Sequence, residues 1–194
     1  MIILVCISLG LTLRVATGRS FSELAEYKLR GESLLLLLLV AQAALPLVQL
    51  TGIAGRVAFF VWLATFPCMI GVAWLNRRQP GMPMLGLGLL LNAAVIAANG
   101  GMPVFDVAAQ TVRASAQALT IPTGDFVHVV ASAATRLPWL ADIVPIPGPE
   151  WLRVVVSPGD LLLFAGVVAL VATIGSSARG LGNGRSGRRG PRFA

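Results

Sequence analysis

Five long apolar runs, at about 1–17, 33–51, 57–75, 82–98 and 160–175, constrain this chain more than any other feature. Each approaches the ~20 residues that a helix needs to cross a hydrocarbon core about 30 Å thick. A single crossing has to be helical, because lipid offers no partner to a bare backbone N–H or C=O. The first and last runs are short and call for snorkelling side chains or local thinning of the bilayer. Composition agrees: 56% of the residues are hydrophobic and only 12% are charged, against about 25% charged in a soluble domain. The predicted fold is all-α, a polytopic membrane protein of about five transmembrane helices over residues 1–175. A disordered basic tail over 176–194, rich in Gly, Ser and Arg, follows it.

Charge placement fixes the expected orientation. No basic stretch precedes the first run, and Arg14 at its inner end and Arg19 just beyond it put the charge on the far side, the reverse of a cleaved signal peptide. The N-terminus is therefore expected outside, with the first helix retained. On that threading Arg14, Arg19, Lys28, Arg30, Arg77, Arg78 and the five tail arginines lie on the cytoplasmic side, while Arg56, Arg113, Arg136 and Arg153 lie on the other. An 11-to-4 split of Lys and Arg obeys the positive-inside rule, and four crossings would break it. Fourteen Arg to one Lys is the coding bias of a GC-rich bacterial genome, so the bilayer expected is a bacterial plasma (inner) membrane, with the C-terminus cytoplasmic.

Polar residues inside the runs are few and spaced. Gln42 and Gln49 are seven apart on the second run with Pro46 between them, predicting a shared face and a kink. Asn92 and Asn99 are seven apart on the fourth. Amides in lipid need partners within the bundle, where each is worth about 0.6–2 kcal/mol. They read either as glue between helices or as the lining of a polar cavity between the second and fourth spans. Cys6 and Cys68 lie within apolar runs and point to no disulfide framework. With a single histidine, His128, no cofactor or metal is expected. The expected partners are the bilayer, anionic headgroups at the basic tail at about 1 kcal/mol per cation, and a membrane-protein partner or second copy of the chain. Nucleic acid is disfavoured, because Phe193 is the one aromatic in the tail.

Residues 99–159 form one long external connection, and a loop of that length normally contains hidden elements or a function. Asp106 is a fair N-cap for an amphipathic surface helix over about 107–119. The apolar stretch 126–134 predicts a short helix or re-entrant piece, with His128 packed and one ring nitrogen satisfied. Beyond it, Thr135-Arg136-Leu137-Pro138-Trp139-Leu140-Ala141-Asp142 and Ser157-Pro158-Gly159-Asp160 place two carboxylates 18 residues apart around a Pro-rich connection. Paired acids with separated proton affinities can act as acid and base on water. Here Asp160, at a helix N-terminus, is the expected charged partner and a desolvated Asp142 the protonated one. The competing reading is structural: Ser157 as N-cap, Pro158 at the first helical position, Asp160 completing a capping box, and Arg136 or Arg153 neutralising Asp142.

Ala98-Asn99-Gly100-Gly101-Met102-Pro103-Val104, the Thr135–Pro147 run and Ser157-Pro158-Gly159-Asp160-Leu161, set on this span pattern, resemble a bacterial family of multi-pass membrane proteins, a domain of unknown function numbered 5317. The resemblance covers nearly the whole chain and implies no activity. The last third is also similar, more weakly, to the lipoprotein signal peptidase, an intramembrane aspartyl enzyme. That likeness implies catalytic roles for Asp142 and Asp160, with Arg136 in support. Thr135 stands where that family has Asp before Arg, and Ser157-Pro158-Gly159 replaces its Asn-containing approach to the second Asp.

Three readings of function follow. The first is a non-catalytic scaffold or accessory membrane subunit, motivated by polar glue residues and a structured outer loop. The second is a membrane-embedded aspartyl hydrolase using Asp142 and Asp160. The third, a small transporter or carrier, lacks the internal repeat common among transporters and acids at the span centres.

Overall fold

The apolar runs form helices whose ends are set by local chemistry. A computed structural model of the protein describes residues 2–48, 50–106, 108, 121, 123–149 and 152–174. Helix α1 spans Ile2–Ala16, α2 Phe21–Glu26, α3 Glu32–Ala44, α4 Gly52–Leu75, α5 Met82–Asn99 and α6 Pro158–Thr173. At Pro46 the helix begun by α3 changes character. Proline lacks the N–H that would continue the ladder, and the chain tightens into a 3-10 turn over Leu45–Val48. Pro67, by contrast, lies inside α4, which continues through it. At its end α5 stops on Gly100, whose φ of 72° closes the C-cap. Gln49, the predicted 107–119 helix apart from Ala108, and the 176–194 tail lie outside the described residues.

Two of these helices are long and apolar enough to cross a membrane, α4 with 24 residues and α5 with 18. At 1.5 Å per residue they reach about 36 and 27 Å. The other apolar helices are shorter: α1 has 15 residues, α3 13 before its 3-10 extension, and α6 16. The structure thus gives a mostly helical protein with two helices of spanning length, where the sequence predicted five. Large apolar side chains stand exposed on their outer faces, among them Leu36, Leu37, Ile53, Phe60 and Trp74.

In packing order the helices run α1, α6, α5, α4, α3, with α6 between α1 and α5, and α4 between α5 and α3. The α5–α6 contact rests on four glycines in two pairs. Gly81 meets Gly166 and Gly88 meets Gly159, seven residues apart on both helices, so the antiparallel register matches twice. A Cβ on Gly88 would come within 2.6 Å of the Gly159 carbonyl oxygen, and one on Gly166 within 2.7 Å of Leu85 Cγ. Small residues at such spacing let two backbones touch, the usual way helices associate where burial of oil is no driving force.

Arg14 ties α1 to the other end of α6. Its side chain is fully buried. The guanidinium donates to the carbonyls of Val171 (3.3 Å) and Ile174 (2.9 Å), to Ser20 O (2.6 and 2.9 Å) and to Glu23 (3.3 Å). A cation among the terminal carbonyls of a helix satisfies them and complements the dipole there.

The connection between α5 and α6 corrects the all-α expectation. Among the described residues it holds four short strands: β1 (Met102–Val104) parallel to β2 (His128–Val130), and β3 (Val144–Ile146) antiparallel to β4 (Val154–Val156). The stretch 126–134 is therefore not the expected short helix. His128-Val129-Val130 and the three valines of β4 are β-branched or otherwise poor helix formers, and they pair locally across the mouth of the bundle.

Candidate functional site

Two convergent pieces of backbone build the site at the strand-bearing end. On one side, β1 carries Pro103 and Val104 beside Asp142. The Asp142 N–H donates to Pro103 O at 2.9 Å, and Val104 and Asp142 form an isolated parallel bridge. The approach to Asp142 is held taut. Leu137 has φ 53°, an uncommon conformation for a bulky residue. Asn99 clamps Arg136 just before it, accepting its N–H at 2.8 Å and donating to its C=O at 2.9 Å. Backbone held in a sparsely populated region persists only where its surroundings over-determine it, and such residues cluster near functional sites.

On the other side, the α6 N-terminus has the predicted capping box. Asp160 N–H donates to Ser157 Oγ and Ser157 N–H to Asp160 Oδ2, both at 3.0 Å. Asn92 joins this box from α5. Its amide donates to Asp160 Oδ1 at 2.7 Å and accepts from the buried Ser157 hydroxyl at 3.0 Å. Both oxygens of Asp160 are thus engaged by N–H donors, while its residue still borders the cavity described next.

Between the helices lies a cavity of about 510 Å³, bordered by residues of α1, α3, α4, α5, α6 and the strand region. Its walls are mainly Leu, Val, Met and aromatic side chains, and its polar residues are Gln42, Asn92, His128, Asp142 and Asp160. That volume is within the range of small-molecule sites, about 300–1,000 Å³, and few polar groups on apolar walls is their usual character. Two buried polar atoms of lining residues have no hydrogen-bond partner among the described residues, Trp62 Nε1 and Asp142 Oδ1. Asp142 is 7% exposed. Burial, with a smaller contribution from the Asp160 charge, pushes its carboxyl up to about 8. Neither Arg136 nor Arg153 neutralises it: no arginine lies within ion-pair distance of Asp142 among the described residues. The Arg153 guanidinium instead donates to Gly148 O at 2.9 Å.

The remaining predicted residues divide. Gln42 donates to Thr65 Oγ1 and, at 3.4 Å, to Trp62 O, joining α3 to α4 while bordering the cavity. Asn92 is in the interior, but Asn99, on the same predicted face, is used at the helix end to hold the loop. His128 has Nδ1 at 2.9 Å from Asp125 Oδ2, so one nitrogen is satisfied as expected, though the side chain is 42% exposed rather than packed away. Asp125 was missed. Burial works against its charge, but the His128 contact and the N–H groups of Val127 and His128 outweigh it and hold the carboxyl below its ordinary value. An acid two and three residues before the N–H groups it caps is an Asx-turn signal, legible ahead of β2. No group of three His, Cys, Asp or Glu side chains suited to a metal occurs among the described residues.

A family model described as a family of unknown function, DUF5317, matches residues 26–172. The chain belongs to this family. The DUF5317 match takes in α3 to α5, the strand region and α6 up to Ala172, and so both acids and all of their hydrogen-bond partners. Among curated proteins an uncharacterized protein of Thermotoga maritima is 31% identical over 113 residues, 56% of this chain. The matched stretch spans 53% of that relative, about half its length. No solved structure matches, and the likeness to the lipoprotein signal peptidase finds no support in these comparisons.

Proposed function

We propose that this DUF5317 protein is a membrane-embedded hydrolase in which Asp142 and Asp160 act as an acid–base pair on an amphiphilic substrate lodged between the helices. In this reading five helices cross a bacterial plasma membrane, α1, α3 and α6 with help from local thinning. The N-terminus and the strand region face outward, and the tail faces the cytoplasm. One observation carries the chemistry. Asp142 is buried, unneutralised and held up at about 8, and it shares an apolar cavity with a second carboxyl. At neutral pH such a group retains its proton and can give it to a leaving group, while Asp160, fixed by Ser157 and Asn92, takes the proton of an attacking water. The unpartnered Trp62 N–H supports an acyl oxygen as a polar part of the guest.

The second reading is the non-catalytic accessory subunit. The doubly engaged carboxylate of Asp160 favours it, because a capping box and an interhelical amide already account for that residue. The test is to reconstitute wild-type protein and the Asp142→Asn and Asp160→Asn variants with total bacterial lipids and lipopeptides, then search for hydrolysis products by mass spectrometry. Products formed by wild type and lost in both variants support the hydrolase. Absence of products, with one membrane partner retained equally by wild type and Asp142→Asn, overturns it in favour of the subunit.

A further inference from the structure

A second cavity, of about 310 Å³, lies at the opposite end of the bundle, where the segment entering α3 meets the turn between α4 and α5. Asn76, the C-cap of α4, builds it. Its side chain accepts the Arg30 N–H at 3.0 Å and donates to the Arg30 C=O at 2.9 Å and to Val72 O at 2.8 Å, pinning the two segments together. Lys28, Arg30, Arg77 and Arg78 line the cavity with Tyr27 and Gln79, and no acid lines it. Arg77 is already used, donating to Trp74 O at 3.0 Å with its guanidinium 4.6 Å from the Trp74 ring centre. The other three cations have no carboxylate within ion-pair distance among the described residues. Gln79 Oε1 is buried there without a donor.

These features ask for a ligand with concentrated negative charge and a hydroxyl. We propose that this pocket binds the headgroup of an anionic phospholipid bearing a free hydroxyl, such as phosphatidylglycerol. The phosphodiester sits among Lys28, Arg30 and Arg78, and the headgroup hydroxyl donates to Gln79 Oε1. The proposal rests on the membrane reading above. A lipid is favoured over free phosphate because Trp74 and Leu75, 66% and 53% exposed, extend apolar surface from the pocket along α4, where acyl chains would lie. Basic pockets between helices on the cytoplasmic side are suited to such headgroups.

The test uses the full chain in phosphatidylcholine nanodiscs, whose co-migration with protein checks the membrane reading separately. Native mass spectrometry then compares retention of phosphatidylglycerol with phosphatidylmethanol, which has the same phosphodiester charge but no headgroup donor, and with inorganic phosphate. Phosphatidylglycerol is expected to bind about tenfold tighter than either. R30Q/R78Q should lower its affinity about tenfold or more, and Gln79→Met should reduce it to the level of phosphatidylmethanol while leaving phosphatidylmethanol unchanged. Equal retention of the two lipids, or full retention by R30Q/R78Q, overturns the site. Inorganic phosphate binding as tightly as phosphatidylglycerol overturns the lipid assignment. If R30Q/R78Q does not fold, the Gln79→Met comparison decides alone.

Discussion

Asp142 makes stability depend on pH in a direction opposite to that of ion-paired or hydrogen-bonded carboxylates, whose proton affinity folding lowers. Its carboxyl rises from 3.8 to about 8 on folding, chiefly by burial and then by the Asp160 charge. The folded state therefore holds a proton that the unfolded chain releases between about pH 4 and pH 8. Where the folded state binds more protons, stability falls as pH rises. The contribution is complete below pH 4, declines through the window and is flat above pH 8. At about 1.4 kcal/mol per unit the whole window is worth on the order of 5 kcal/mol. Melting of the detergent-solubilised protein should fall by roughly 3–6 °C per pH unit between 5 and 8, taking 2–4 °C per kcal/mol for a chain of this size. Asp142→Asn should flatten that slope and melt higher than wild type at pH 9. Asp125 and His128 are present in both proteins, so the difference between the two curves isolates Asp142. Parallel curves for wild type and variant would refute the burial argument, and with it the proton-donor role.

Three further outcomes test the frame around the site. Gly159→Ala drives a methyl onto the Asn92 amide oxygen with backbone behind it. Overpacking of this kind should lower unfolding stability by about 3 kcal/mol, and an unchanged melting temperature would contradict the α5–α6 register. Arg14→Ala strips the α6 carbonyls and Glu23 of their buried donor, a loss of about 3–5 kcal/mol by analogy with broken buried pairs; Arg14→Lys should recover only part of it, since one ammonium cannot reproduce the fork. Reporter fusions after residues 133 and 185 should land in opposite compartments, and a shared compartment would remove the five-span topology.

The helices were legible because apolar runs and their stops are local properties. Ser157-Pro158-Gly159-Asp160 spells a capping box within four residues, and the structure forms it. The strands were not, since each is three residues long and two contain proline, too short for alternation to register. The seven-residue spacing of Gly81 with Gly88 and of Gly159 with Gly166 was visible. Its meaning depended on two segments meeting antiparallel, which neither segment announces alone. Asn92 and Asn99 show the limit of spacing arguments: they share a face, yet one reaches into the bundle while the other, just before the Gly100 turn, is used on loop backbone.

The same limit applies to the two acids. Their separation along the chain identified a candidate pair, but the environment that distinguishes them comes from elsewhere. Asp160 takes its partners from Ser157, three residues away, and Asn92, 68 away. Asp142 is seated by a backbone bond to Pro103, on the strand that opens the external connection, 39 residues earlier in the chain. Desolvation of Asp142 follows from that seating; Asn99 meanwhile holds the Arg136 backbone, and among the described residues no arginine lies within ion-pair distance of Asp142. Asn99→Ala therefore offers a probe that touches neither carboxyl. Releasing the 136–140 turn should let water reach Asp142, lower its affinity for the proton and shift the foot of the melting profile to lower pH. If the profile does not move, the clamp does not govern the burial of Asp142.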